Sequence, residues 1–104
     1  MSLNPITNID HTYLQGELTA SYAEIVAVLG KPNRKNDGYK TDAEWAFEKD
    51  GVIFTLYNWK DGKNYLGKEG LPVREITEWH IGGKTPEAVE AVDALFPDCD
   101  EKNW

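Results

Sequence analysis

The chain has 104 residues, a length that fits one compact core, because two would each fall below the size that folds unaided. Eleven Lys and Arg stand against eighteen Asp and Glu, a net charge of -7 that excludes a broad basic surface for nucleic acid or anionic membrane. A single cysteine excludes an internal disulfide and a cysteine-based zinc site.

Residues 1–10 contain Asn4, Pro5 and Asn8 and are expected to be a disordered lead-in. They lack a basic segment followed by an apolar stretch, so no secretory signal is expected, and the expected location is the cytoplasm. No apolar run reaches membrane-spanning length. Thr12 to Leu18 (TYLQGEL) reads as a short edge strand weakened by Gly16. Ser21 and Glu24 have capping-box spacing, and Tyr22, Ile25, Val26 and Leu29 follow at helical intervals. A helix over 22–29 is predicted, ended by Gly30 and Pro32.

After a polar loop at 33–40, Ala43 to Trp59 (AEWAFEKDGVIFTLYNW) reads as a β-hairpin. Asp50-Gly51 is a two-residue turn in which both residues reach positive φ. That turn sets Lys49 opposite Val52, Phe47 opposite Phe54, Trp45 opposite Leu56 and Glu44 opposite Tyr57. Trp45, Phe47, Val52, Phe54 and Leu56 then form a core face. Glu44, Ala46, Glu48, Ile53, Thr55, Tyr57 and Trp59 form the other.

Residues 61–72 (DGKNYLGKEGLP) make a long connection without periodicity, of the kind that is often mobile or functional. Arg74 to Ile81 alternates as a further strand, with Trp79 and Ile81 on one side and Ile76, Glu78 and His80 on the other. Gly82-Gly83 breaks it. Thr85 is expected to cap a second helix opened by Pro86, whose stripe is Val89, Val92, Leu95 and Phe96. Pro97 stops it, and residues 98–104 are expected to be a frayed acidic tail. The fold class is α+β, in the order (β)αβββα, with residues 11–97 as one domain. Its antiparallel sheet has three to four strands, and two short helices pack on one face.

Four constellations carry candidate chemistry. Tyr57, Trp59, Tyr65 and Trp79 can gather at the hairpin end as a partner-binding surface, or fold over the sheet as a minor core. Gly82, Gly83, Lys84 and Thr85 can offer amides and a charge to an anion, or merely turn strand into helix. Glu78 and His80, two apart on one strand, have acid/base character or are a structural pair. Glu44, Glu48, Glu69, Glu75 and Glu78 can line a face as carboxylates or simply keep exposed strands soluble. Cys99 lies between Asp98 and Asp100, whose charges oppose a thiolate, so no catalytic thiol is expected. No metal site and no cofactor are expected.

The segments DGVIFTLYNWK (50–60) and EWHIGGKTPEAVEAV (78–92) resemble small uncharacterised proteins of tailed phages. That resemblance implies an accessory role in the cytoplasm of an infected cell, blocking or sequestering a host component. YAEIVAVLGKPN (22–33), followed by strands with a Trp, is similar to the helix-Gly-x-Pro-strand pattern of BamE-like lipoproteins and the β-lactamase-inhibitor repeat fold. This second resemblance implies helix-on-sheet packing. Its lipoprotein function is not carried over, because no lipid-bearing cysteine stands near residue 1.

The expectation is a non-enzymatic binding protein that engages a host or cellular protein through the aromatic sheet end and the 61–72 segment. The alternative is a binder of a phosphorylated small molecule, a nucleotide sponge using Gly82 to Thr85. A homodimer paired through an edge strand, such as the one at 12–18, remains open.

Overall fold

A computed structural model describes residues 3–6, 9, 11–33, 43–58 and 66–103, with the backbone alone at Lys102 and Asn103. The elements are β1 (Leu3–Pro5), β2 (Tyr13–Thr19), α1 (Tyr22–Leu29), β3 (Glu44–Lys49), β4 (Val52–Tyr57), β5 (Glu78–Gly83), α2 (Glu87–Leu95) and β6 (Asp100–Asn103). The strands make one six-stranded antiparallel sheet in the order β1-β3-β4-β5-β2-β6. Both helices lie on one side of it and share a single core with the strands.

The central hairpin has the expected register at every pair, from Glu44 opposite Tyr57 to Lys49 opposite Val52. Asp50 at φ 50° and Gly51 at φ 87° close it, the left-handed pair whose twist matches that of the flanking strands. Phe47 and Phe54, directly opposed, stack with centroids 6.2 Å apart. The buried Asn58 side chain extends the ladder one step further, its Oδ1 accepting from the Ala43 amide at 3.0 Å.

Five expectations change. The sheet has six strands rather than three to four. Leu3–Pro5, placed in a disordered lead-in, pairs with β3 as an edge strand, where a proline is tolerated because its missing amide costs no ladder bond. Asn33 seals the rest of that edge: its side-chain amide donates to the Ala46 carbonyl and accepts from the Ala46 amide, both at 2.8 Å. The 98–104 segment is not a frayed tail, because Asp100–Asn103 pairs with β2. Strand β2 is therefore interior, held between β5 and β6, rather than the edge strand expected at 12–18. Finally, the strand expected from Arg74 begins at Glu78. Pro72 precedes a short 3-10 turn at Val73–Glu75, and Ile76 is buried beside it.

Helix α1 carries the full capping box: the Ser21 hydroxyl accepts from the Glu24 amide at 3.1 Å, and the Glu24 carboxylate accepts from the Ser21 amide at 2.8 Å. Ile25 and Leu29 point inward, and Gly30 ends the helix at φ 84°. Two tryptophans fix its ends. The Trp79 indole N–H donates to the Ala20 carbonyl before the helix, and that of Trp45 donates to the Gly30 carbonyl after it, both at 2.9 Å. The expected Thr85 cap is made differently, since the Thr85 carbonyl rather than its hydroxyl accepts from the Ala88 amide. Val89, Val92 and Phe96 of the α2 stripe are buried and Leu95 is partly so.

Candidate functional site

The sheet register assembles a polar row on the face turned away from the helices. Glu44 of β3 pairs with Tyr57 of β4, Tyr57 with His80 of β5, and His80 with Glu17 of β2. Directly opposed residues share a face, so these four side chains run side by side across four strands. Tyr57 and His80 meet edge to face, with centroids 5.5 Å apart and planes at 73°. His80 Nε2 lies 3.8 Å from Glu17 Oε1, an ion pair whenever the imidazole is protonated. Burial, and secondarily the Glu44 charge, push the Tyr57 phenol above its ordinary value.

The row is set into the surface. Beside it the Thr55 side chain is buried, and the Tyr57 ring lies 3.5 Å from where a Cβ on Gly82 would stand. That Cβ would collide with Thr55 Oγ1, so the row depends on residue 82 having no side chain. The arrangement offers an acceptor, an imidazole, a phenol and a second acceptor along one line. This suits directional contact with a flat partner surface better than enclosure of a substrate.

The sequence-derived candidates are redistributed. Tyr57 and His80 belong to the row. Glu78 stands opposite Thr19, so the carboxylate beside His80 is that of Glu17. Sequence reasoning missed Glu17 because an irregularity at Gln15, between Leu14 and Gly16, shifts the alternation of β2 by one residue. Gly16 was the available signal. The placement of Trp79 on a binding surface is corrected: it is fully buried on the helix side, against Trp45 and Tyr22. Trp59 and Tyr65 lie outside the described residues. Among the carboxylates weighed as an array, Glu44, Glu48 and Glu78 fall on the row's face. Glu69 and Glu75 sit in 3-10 turns.

The anion-cradle reading of Gly82, Gly83, Lys84 and Thr85 is corrected as well. Gly82 and Gly83 are buried residues of β5, paired with Thr55 and Phe54 on one side and Leu14 and Tyr13 on the other. Their lack of side chains serves packing: a Cβ on Gly83 would strike Ala88 of α2, where helix and sheet come close. Lys84 and Thr85 are exposed beyond the strand end.

Elsewhere, an apolar groove of about 310 Å³ separates α1 from the end of α2, lined by Ala27, Val28, Leu95, Phe96, Pro97 and Cys99. The Cys99 thiol donates to Glu24 at 3.5 Å and is pushed up by burial and by the neighbouring Glu24, Glu101 and Asp98 charges, which opposes thiolate chemistry. Among the described residues no group of three or more His, Cys, Asp and Glu side chains is placed to hold a metal ion. No helix among them is long and apolar enough to cross a membrane. Comparison of the chain with protein-family models, with curated proteins and with solved structures yields no match.

Proposed function

We propose that the protein is a non-enzymatic binding module that takes a protein partner on the sheet face opposite its helices. The observation that carries this reading is the cross-strand row Glu44–Tyr57–His80–Glu17, which lines up four polar or aromatic side chains on a rigid sheet. Tyrosine supplies contact area at low entropic cost, and carboxylates with an imidazole give directional recognition. The net charge of -7 adds steering toward a basic partner. Two leucines of the 61–72 segment, Leu66 and Leu71, are exposed.

The test is affinity capture from bacterial lysate with immobilised protein, comparing wild type with a Glu17→Lys/His80→Ala double variant. Far-UV circular dichroism and the urea midpoint establish that the variant is folded. Loss of the same captured protein by the folded variant supports the row as the binding surface. Undiminished capture removes it from consideration.

A further inference from the structure

Strand β6 carries an acid on the face of the sheet that is otherwise dry. Glu101 pairs with Leu18, so both side chains leave the sheet toward α2, and Leu18 is fully buried there. The Glu101 carboxyl lies within hydrogen-bonding reach of that of Asp93 on α2, in a cleft that Val89 and Glu90 also line. Its Oε1 is buried and has no hydrogen-bond partner among the described residues. Across the sheet, on the face turned away from the helices, a cleft brings together Asp100 of β6, Glu17 of β2 and Glu78 of β5, with His80 3.8 Å from Glu17. On the helix side the described acids beside Glu101 are Asp93 and Glu90 of α2, and Asp100 adjoins it on its own strand. Two carboxyl groups bond to each other only while one of them holds a proton.

We propose that β6 is a proton-held latch: a proton shared by Glu101 and Asp93 keeps the strand on β2, and loss of that proton lets it go. When protonated, Glu101 donates to the Asp93 carboxylate. When ionised, it is a charge against the core, beside other charges of the same sign. Burial first, then the bond and charge of Asp93 and the charge of Asp100, push the Glu101 carboxyl up to about 7. On an undocked strand it titrates near the ordinary glutamate value of about 4.3. The docked state therefore holds the extra proton between those values. Docking is strongest at the acid end of the window and weakens as pH rises through it.

A four-residue edge strand is the kind of unit that opens without global unfolding. Its departure uncovers the outer backbone edge of Gly16–Thr19, whose amides and carbonyls are then available to another strand.

The experiment is carbon-13 NMR titration of the Glu101 carboxyl, combined with amide protection factors for residues 16–19 and 100–103. The expected carboxyl midpoint is near 7. Protection, corrected for intrinsic exchange, should be roughly ten-fold or more lower at about pH 8 than at about pH 5.5. Glu101→Gln, which keeps a donor and cannot ionise, should hold its protection constant. Asp93→Asn should move the midpoint to lower pH. A wild-type carboxyl midpoint below about 5.5, or an equal fall in protection in Glu101→Gln, overturns the latch. Should Glu101→Gln not fold, the wild-type titration and Asp93→Asn still decide.

Discussion

Trp45 and Trp79 meet edge to face beneath α1, 5.4 Å between centroids at 75°, and each indole N–H holds a carbonyl at a different end of that helix. Eight residues are too few to hold a helix alone, so this clamp, with Tyr22 packed on both rings, does much of the holding. Trp79→Phe leaves the buried Ala20 carbonyl without its partner and should cost about 1–3 kcal/mol, while Trp79→Ala should cost about 3–5 kcal/mol. Trp45→Phe should cost less, because its bond to Gly30 is only partly buried and water can replace it. Urea unfolding of the three variants gives the ranking.

Gly83→Ala should destabilise by about 1–3 kcal/mol, since the added methyl drives into Ala88 and forces α2 off the sheet. Adding Ala88→Gly should recover part of that loss. A double-mutant cycle in urea measures the coupling.

Alkaline stability should depend on Tyr57. Its phenol titrates above the ordinary value, so past about pH 10 the unfolded chain loses this proton first and stability falls as pH rises. Tyr57→Phe should flatten that alkaline limb, and Glu44→Gln should bring the phenolate transition of Tyr57 to lower pH. Ultraviolet difference titration follows both.

The α1 cap supplies the acid-side counterpart. The Ser21 amide, then its hydroxyl, then the Cys99 thiol hold the Glu24 carboxyl below the usual range. Its stabilising contribution is therefore complete above the ordinary glutamate value and disappears as pH falls through the lower, folded one. Glu24→Gln should make the acid limb shallower. Ser21→Ala should cost about 0.5–2 kcal/mol at neutral pH, read from urea midpoints.

The hairpin and α1 were legible because their determinants are local. Asp50-Gly51 sets a register, and Ser21 with Glu24 sets a helix start, without reference to anything distant in the chain. The outer strands were not legible. Asp-Glu-Lys-Asn at 100–103 has no strand-forming character of its own and pairs because β2 has backbone groups to satisfy on that side. The row was half legible for the same reason. Tyr57 falls on the outer hairpin face by simple alternation, whereas Glu17 joins it only through the irregularity at Gln15 and a pairing with His80. Trp79 was assigned to the correct side of its strand beside Ile81, but that side proved to be the one under the helices.

The interior position of β2 bears on how the chain acquires its shape. The hairpin can form from neighbours as it emerges during synthesis, but β2 cannot: the indole that grips Ala20 lies 59 residues downstream, and β6 comes later still. Leu18 must travel uncovered until the last strands are made, so closure of the sheet should be the slow, chaperone-sensitive step of biogenesis.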